Sequence, residues 1–242
     1  MHPTLITTAD GSHSLYVKDL DEHYHSVHGA IQEAQHVFIK TGIQHLVSQN
    51  YKAINILEVG FGTGLNTLLS YLETEKLNVT LNYTSLEAFP LSAEIISQLN
   101  YAKLISATNR EIPPFDSAQG DKKNGKNEIK SIFQQLHSCD WEKEVELSKN
   151  FNLLKIKNTL QEIKFTSTFD LIFFDAFGPR VQPEMWTEGL FAKIFEATNK
   201  NGCLVTYCAK GEVKRTLKKA GFIVETLPGP PRKREMVRAT KN

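Results

Sequence analysis

The chain has 242 residues, of which 40% are hydrophobic, and 28 basic residues against 27 acidic ones give a formal net charge of +1. This length favours one large α/β domain, or one domain with a small extension, and the balanced charge means that a nucleic-acid partner would have to be met by a local patch. Three cysteines without a C-x-x-C pair favour a reducing compartment, and no apolar run approaches the roughly 18 residues of a membrane span, so we expect a cytoplasmic protein that does not enter a membrane.

Residues 1–50 are predicted to form an N-terminal extension that packs on the core. The turn dipeptide Asp10-Gly11 lies between β-branched and aromatic stretches, which predicts a hairpin within residues 1–20, and a helix is predicted over about 29–45. Three histidines within 23–28 suggest a metal site, but no cysteine lies near them in the sequence. We therefore favour a polar segment across the mouth of a site, and we predict no bound metal.

The central stretch is 54–66, where an apolar run ends in a carboxylate and three glycines follow at alternate positions before leucines with helical spacing. The pattern predicts a strand, a tight turn and a helix, and glycines let a ligand lie against main-chain N–H groups. The spacing fits neither a dinucleotide-binding turn nor a phosphate loop. It resembles E-x-G-x-G-x-G, the first motif of the class I methyltransferases that bind S-adenosylmethionine. Cofactor-binding residues expected here are Glu58, Gly60, Phe61, Gly62, Gly64 and Asn66.

Within this motif the glycine N–H groups can meet the cofactor's carboxylate, and Glu58 can offset its ammonium or sulfonium charge. Two alternatives stay open on the residues alone. The turn can be a glycine-rich connection that binds nothing, and Glu58 can be a carboxylate that only caps the turn.

Two further strands are expected to end beside this turn. Residues 79–89 predict a strand that carries Glu87 at its end, where a carboxylate can accept hydrogen bonds from both ribose hydroxyls. Residues 144–147 and 151–156 predict a strand pair, and Asn158 follows it. In enzymes that bind this cofactor, that place often carries an acid or amide for the adenine amine, so Asn158 is a further cofactor-binding candidate.

Residues 111–130 are expected to be a flexible insertion. They begin near Pro113-Pro114, and the part from 116 onward has two glycines, four lysines and few apolar side chains, too few to offset the conformational entropy of ordering. Before this segment, Pro90 is expected to open a helix that runs to about Leu99. After it, a helix is expected around 132–136.

A second apolar run, 169–174, ends in Asp175. The pattern predicts a central strand buried on both faces, so Asp175 would face the same crevice as the glycine turn. The sequence Asp-Ala-Phe-Gly-Pro at 175–179 resembles the motif with which amine methyltransferases hold the acceptor nitrogen. Because an alkylamine is protonated at neutral pH, its methylation needs a group that orients the ammonium and takes its proton. We predict Asp175 as the catalytic residue within the cofactor site; the alternative is an acid that caps the next turn.

The C-terminal part is expected to complete the sheet. A strand is predicted over 203–208, a helix over about 211–221, and a closing hairpin from the strands 222–227 and 235–239. The hairpin turn, 228–234, carries three consecutive basic residues. Solvated basic turns are common, so charge alone does not decide whether this turn binds phosphate.

Motifs along nearly the whole chain resemble the bacterial tRNA wobble-uridine methyltransferases, which occur as the methyltransferase half of the bifunctional MnmC type and as the stand-alone MnmD type. The matching segments occur in the expected order at 21–26, 33–38, 58–66, 87–91, 175–179, 183–186, 206–211 and 233–236. The resemblance implies an α/β class I methyltransferase fold, Rossmann-like, over residues 51–242. Its sheet would be mostly parallel and seven-stranded, with helices on both faces.

The resemblance also implies a reaction: methylation of the 5-aminomethyl group of (2-thio)uridine at the tRNA wobble position, position 34, with S-adenosylmethionine as cofactor. The partner would be the tRNA anticodon stem-loop. The flavin-dependent oxidoreductase half of the bifunctional type is expected to be absent from this chain. A monomer is the default expectation for the oligomeric state. Arg232 stands where glycine is expected. On the substrate side, the implied residues are Phe177, Pro179, Lys233, Arg234 and Glu235.

Three other functions stay open. The first is an S-adenosylmethionine-dependent methyltransferase of a small-molecule or protein amine, which the balanced net charge mildly favours. The second is a non-catalytic module that binds the cofactor or RNA and has no need of a carboxylate at 175. The third is an aminopropyltransferase, although an acid-rich polyamine pocket is not evident.

Overall fold

An eight-stranded sheet dominates the part of the chain that this computed structural model describes, residues 3–108 and 124–242. The strands are β1 (Thr4–Thr7), β2 (His13–Val17), β3 (Glu22–His23), β4 (Ala53–Val59), β5 (Thr80–Leu86), β6 (Glu144–Ser148), β7 (Phe151–Ile156), β8 (Phe169–Phe174), β9 (Thr198–Thr206), β10 (Ile223–Pro228) and β11 (Glu235–Thr240). The α-helices are α1 (Ala30–Ala34), α2 (Gln44–Ser48), α3 (Leu65–Leu77), α4 (Ala93–Gln98), α5 (Tyr101–Thr108), α6 (Asn124–Ser138), α7 (Glu188–Ala197) and α8 (Gly211–Lys219).

The order of strands in the large sheet is β10-β11-β9-β8-β4-β5-β7-β6. The five strands β9, β8, β4, β5 and β7 pair in parallel. At one edge β6 pairs antiparallel with β7, and at the other edge β11 pairs antiparallel with both β9 and β10. The α/β fold and the mostly parallel sheet are confirmed. Among the described residues this sheet has eight strands instead of the seven that the resemblance implies, and the edge strand β6 belongs to the strand pair that the sequence itself predicts at 144–147 and 151–156.

Apolar side chains cover both faces of the sheet. On β8, Leu171 and Phe173 pack against one hydrophobic cluster, and Ile172 and Phe174 pack against the other; all four are 0% exposed. Consecutive strand residues point to opposite faces, so a continuous apolar run is what a doubly covered strand requires. Helices α1, α2, α3, α5 and α6 contribute to the first cluster, and α7 and α8 contribute to the second.

The N-terminal residues form the predicted hairpin, with β3 as a third antiparallel strand. This small sheet is tied to the rest of the chain by hydrogen bonds: the Asn100 side chain accepts from His13 N at 2.9 Å, and the Tyr101 hydroxyl donates to His13 O at 2.8 Å. The predicted helix after it is also present, but its middle, Gln35–Ile43, is π-helical. The N-terminal segment therefore lies against the large sheet.

Two predictions near the middle of the chain need correction. The helix expected at Pro90 begins at Ala93, after Ser92 as N-cap residue, because the backbone of Ser92 is still extended. Of the expected insertion at 111–130, residues 111–123 lie outside the described part, and residues 124–130 belong to α6 instead of a loop. Among the described residues, no helix combines the length and hydropathy of a membrane span.

Candidate functional site

The glycine turn after β4 is held between its neighbouring strands. Gly60, Gly62 and Gly64 have positive φ angles of 98°, 51° and 71°, which L-residues with a side chain rarely adopt. Gly60 N donates to Leu86 O at 2.9 Å, and a Cβ on Gly60 would lie 3.1 Å from the carbonyl oxygen of Asp175. The backbones that follow β4 and β8 therefore approach closely, and glycine makes that approach possible.

A cavity of about 440 Å³ lies at the carboxyl ends of the parallel strands. Its volume is within the range of roughly 300–1,000 Å³ that small-molecule sites occupy. The sequence-predicted residues that line it are Gly60, Phe61, Gly62, Asn66, Glu87, Asn158, Asp175 and Phe177. We call this space the donor cavity.

The Glu87 carboxylate is fixed in the donor cavity by two backbone hydrogen bonds. Its Oε2 accepts from Gly62 N at 2.9 Å, and its Oε1 accepts from Phe89 N at 2.8 Å. Each carboxylate oxygen keeps a further lone pair, so Glu87 can still accept hydrogen bonds from hydroxyls. Across the cavity, Asn158 follows β7 and its Oδ1 accepts from Thr159 N at 2.7 Å.

Glu58 lies behind the glycine turn and does not line the donor cavity. It is 0% exposed, and its Oε2 accepts from Ser85 Oγ at 2.6 Å and from Thr67 Oγ1 at 3.1 Å. Desolvation by burial raises the pKa of Glu58 to about 7, against the lowering effect of these hydrogen bonds. Glu58 Oε1 is buried without a hydrogen-bond partner, and the side chain points into the core behind the turn. The direct contact of Glu58 with a cofactor stays a prediction.

Asp175 lies at the end of β8 and is fixed by Asn66 of α3. The Asn66 side-chain amide donates to Asp175 Oδ2 at 2.8 Å, whereas Asn66 Oδ1 is buried without a hydrogen-bond partner. Desolvation raises the pKa of Asp175 well above its usual range, and the Asn66 hydrogen bond opposes that shift. A carboxylate with a raised pKa is a stronger base, which suits a group that must take a proton.

A second cavity, of about 270 Å³, adjoins the first and is called the acceptor cavity below. Its walls come from the N-terminal segment 22–28, from Glu33, and from Tyr207 and Lys233 near the C-terminus. Residues that line both cavities are Tyr24, His25, Asp175, Ala176 and Phe177. The two spaces therefore share a wall that includes Asp175.

Tyr24 and His25 have specific places at this meeting point that motif reasoning did not identify. The Tyr24 ring packs edge-on against Phe177 with centroids 5.1 Å apart, and a Cβ on Gly62 would come within 3.3 Å of it. His25 Nε2 lies 2.8 Å from Thr63 Oγ1, and burial lowers the pKa of His25 to about 4, so its imidazole is neutral at pH 7. The segment 22–28 lines the acceptor cavity, a position compatible with the polar segment across the mouth of a site that the sequence predicts.

The remaining predicted residues lie elsewhere. Gly64 is the N-cap of α3, and Pro179, Arg234 and Glu235 line neither cavity. Glu235 Oε2 instead accepts from Lys214 Nζ at 2.7 Å on the outside of the closing hairpin. Arg232 has a φ of 69°, so its backbone adopts the conformation expected of the glycine it replaces.

Within 3–108 and 124–242, no three His, Cys, Asp or Glu side chains are arranged to hold a metal ion.

A mostly parallel sheet with a glycine turn after β4, an acid after β5 and a carboxylate after β8 defines the class I methyltransferase fold. Residues 122–242, half of the chain, match the family described as S-adenosyl-L-methionine-dependent methyltransferase. The chain belongs to this family, and its cofactor is S-adenosyl-L-methionine.

Curated relatives carry a more specific name. The chain is 31% identical over 228 residues to the "tRNA 5-methylaminomethyl-2-thiouridine biosynthesis bifunctional protein MnmC" of Leptospira interrogans, covering 91% of this chain and 32% of that protein. It is 29% identical to the protein of the same name from Methylobacillus flagellatus, covering 88% of this chain and 32% of that protein. The chain thus spans about a third of the length of these relatives.

Solved structures show the same fold. MNMC2 from Aquifex aeolicus superposes with a TM-score of 0.73 at 24% identity, covering 98% of this chain and 70% of that one. Spermidine synthase from Thermotoga maritima superposes with a TM-score of 0.51 at 12% identity, covering 100% of this chain and 72% of that one. At these identities the likeness concerns the fold alone.

The donor cavity fits the cofactor. The three glycine N–H groups of the turn are paired within the protein, with Leu86 O, Glu87 Oε2 and Phe61 O, so a carboxylate would meet the positive end of α3 that begins directly after the turn. Glu87 can accept from hydroxyls, and the buried Asn66 Oδ1 lacks the donor that an ammonium group would supply. Part of the wall is apolar, including Val59, Leu65 and Leu86. This combination suits an amino-acid group attached to a nucleoside.

Proposed function

We propose that this chain methylates the 5-aminomethyl group of (2-thio)uridine at the wobble position of tRNA, in the cytoplasm and as a monomer. The observation that carries the proposal is the meeting of the donor and acceptor cavities at Asp175. A transferase needs its two substrates on either side of one reacting centre, held in line at contact distance. A module that only binds the cofactor needs no second cavity there.

The donor cavity would hold the cofactor through the residues that line it. The positive end of α3, which begins directly after the glycine turn, would meet the carboxylate, Glu87 would meet the ribose hydroxyls, and Asn158 would meet the adenine amine. When bound, S-adenosyl-L-methionine supplies an electrophilic methyl group on a positively charged sulfur.

Asp175 would prepare the acceptor nitrogen. An aminomethyl group enters as an ammonium ion, which has no lone pair, and the Asp175 carboxylate can attract it, orient it and accept one of its protons. The products of this step are a neutral amine and a neutral carboxylic acid. After the methyl group has been transferred, the nitrogen again carries a positive charge and the product leaves as a methylammonium ion, while the Asp175 carboxylic acid returns its proton to solvent.

The geometry supports this role for Asp175 in two ways. Asn66 fixes Oδ2, so the carboxylate keeps one orientation at the end of β8. Desolvation raises the pKa of Asp175, which brings its proton affinity closer to that of an amine.

Phe177 and Tyr24 form an aromatic wall between the cavities, and aromatic walls of this kind can stack on a nucleobase.

The choice of tRNA as substrate is supported by the curated relatives, whose printed name is a tRNA 5-methylaminomethyl-2-thiouridine biosynthesis protein. The motifs shared with the wobble-uridine methyltransferases run through both cavity walls, at 21–26, 58–66, 175–179 and 233–236. We infer that the anticodon stem-loop docks over the acceptor cavity with the wobble base turned inward.

The test is methyl transfer in vitro, read by nucleoside mass spectrometry. Purified chain is incubated with the cofactor and with tRNA from cells that accumulate 5-aminomethyl-2-thiouridine. We expect this nucleoside to be converted to its N-methyl form, while matched tRNA with an unmodified wobble uridine stays unchanged. Methylation of spermidine or of free amines, with no methylation of tRNA, would contradict the proposal in favour of a small-amine methyltransferase.

A further inference from the structure

An ion pair between Glu33 and Lys233 spans the wall of the acceptor cavity. Lys233 Nζ donates to Glu33 Oε1, and the same ammonium lies 4.8 Å from the centroid of the Tyr207 ring. The other carboxylate oxygen of Glu33 accepts from Ser26 N at 2.8 Å. The pair therefore links α1, the N-terminal segment and the turn of the closing hairpin, from positions 200 residues apart.

Both partners are largely withdrawn from water. Glu33 is 8% exposed, and the Lys233 side chain is 30% exposed. An ion pair on an open surface contributes little, but charges at the wall of a cavity act on their neighbours through a medium that screens them less. Asp175 lines the same cavity, so it experiences both charges.

Besides Glu58, which lies behind the glycine turn, the titratable groups around Asp175 are those that line the acceptor cavity with it: Glu22, His23, Tyr24, His25, His28, Glu33, Tyr207 and Lys233. Burial raises the pKa of Tyr24 to about 12 and that of Tyr207 well above its usual range, and it lowers the pKa of His25 to about 4. Those three groups are neutral at pH 7. Glu58 lies behind the glycine turn, away from the acceptor cavity, and Glu22 of the acceptor wall is paired with Arg180 at 3.6 Å. Of the charged groups that line the acceptor cavity, Glu33 and Lys233 are the two that shift the pKa of Asp175.

We propose that Glu33 and Lys233 are positioning residues that act as a balanced pair, whose opposite charges cancel at Asp175 and leave its ionisation to be set by the incoming acceptor. The inference rests on the proposed function for its role in catalysis, but the charge balance itself is a property of the free protein. Lys233 is then part of the cavity wall, which differs from a role as a free cation for tRNA phosphate.

The two charges act on Asp175 in opposite directions. Glu33 disfavours the carboxylate form and raises the pKa of Asp175, and Lys233 favours that form and lowers the pKa. Removing only Lys233 leaves an unbalanced negative charge, so the Asp175 carboxyl stays protonated to higher pH. Removing only Glu33 leaves an unbalanced positive charge, which ionises Asp175 at lower pH and repels an ammonium acceptor.

The experiment is a titration of Asp175 in the cofactor-free protein by NMR of carbon-13-labelled aspartate carboxyls, assigned with Asp175→Asn. We expect Lys233→Met to raise the pKa of Asp175 by about one unit, and Glu33→Gln to lower it by about one unit. The double variant should return close to the wild-type value. Lys233→Arg keeps the charge and should not shift the pKa of Asp175. If Lys233→Met does not fold, the downward shift expected in Glu33→Gln still tests the proposal.

Matched controls come from ion pairs outside both cavities. Lys214→Met breaks the pair with Glu235, and Glu225→Gln breaks the pair with Arg238, and neither should move the titration of Asp175. Equal pKa values in wild type and both single variants, or shifts of the same sign, would overturn the proposal.

A second readout separates this inference from the proposed function. In the pH profile of kcat/KM on aminomethyl-modified tRNA, the acidic limb should move up in Lys233→Met and down in Glu33→Gln. If the wild-type chain does not methylate tRNA while the NMR shifts have the expected signs, the proposed function fails and the charge balance stands. If tRNA is methylated and the shifts are absent, the charge balance fails alone.

Discussion

The donor and acceptor cavities share one wall and are built in different ways. The donor cavity takes its polar groups mainly from the ends of parallel strands, including Gly60, Glu87 and Asp175. One wall of the acceptor cavity is formed by Glu33 and Lys233, which pair across 200 positions of sequence. One cavity therefore depends on the register of the sheet, and the other depends on side-chain contacts between distant segments.

The two cavities are therefore sensitive to different kinds of substitution. In the donor cavity, backbone atoms form the contacts, so an added Cβ does more harm than the loss of a side-chain group. In the acceptor cavity, side-chain charges are paired, so the loss of one partner changes the charge of the whole wall.

The largest effect is expected at the residue that the cavities share. Asp175→Asn keeps the shape of the side chain and removes the base, so kcat/KM for methyl transfer should fall by about 10³-fold or more. Cofactor binding, measured by calorimetry, should persist, because the donor cavity keeps its glycine turn and Glu87. Full activity of the variant would remove Asp175 from the mechanism and break the link between the cavities.

The next effect concerns the donor cavity alone. Gly62 has a φ of 51°, and a Cβ there would come within 3.3 Å of the Tyr24 ring, so Gly62→Val should strain the turn and weaken cofactor binding by at least about tenfold. Gly189→Val is the matched control, since Gly189 has no atom within 4 Å of its added Cβ and no positive φ is recorded for it. An unchanged dissociation constant in Gly62→Val would place the cofactor elsewhere.

The same comparison explains how much could be predicted from sequence. Motifs at strand ends identified the glycine turn, Glu87 and Asp175 correctly as neighbours, because parallel strands end at the same edge of a sheet. The ion pair between Glu33 and Lys233 could not be found this way, since nothing in either local sequence specifies the other partner.

The buried position of Glu58 could also be predicted from the sequence. On β4, Ile54 and Ile56 pack into one hydrophobic cluster, and Leu57 and Val59 pack into the other. Side chains alternate along a strand, so Glu58 shares the face of Ile54 and Ile56 and points into the core. Strand parity thus indicated a buried carboxylate, while the motif alone suggested a contact with the cofactor.

A smaller effect is expected from this buried acid under the donor cavity. The pKa of Glu58 is raised to about 7 in the folded chain, so between about pH 4.5 and 7 the folded state binds more protons than the unfolded state, and stability falls as the pH rises. Glu58→Gln removes this contribution, which amounts to at most about 3 kcal/mol.

Urea unfolding of wild type and Glu58→Gln at pH 5 and at pH 7 measures the effect. Asp175 contributes a slope of the same sign in both proteins, and the charge of Glu58 adds to the raised pKa of Asp175, so the difference between the two curves reports Glu58 together with its effect on Asp175. Parallel curves would mean that Glu58 titrates normally and is not desolvated behind the turn.

The smallest effect is expected at the rim of the acceptor cavity. Arg234 is exposed beside the paired Lys233, so Arg234→Ala should lower the salt dependence of tRNA binding by about one unit of log–log slope if it contacts a phosphate. Lys76→Ala is the control, because Lys76 lies at the end of α3 remote from the glycine turn. Equal slopes for wild type and Arg234→Ala would move the tRNA to another face.

The central claim, that donor and acceptor meet at one carboxylate, is tested most directly by a crystal structure with a cofactor analogue that carries an amine in place of the methyl sulfonium. We expect that amine to lie within about 3.2 Å of an Asp175 carboxylate oxygen and to point into the acceptor cavity. An amine directed away from Asp175, with protein atoms filling the space between the two cavities, would contradict the account.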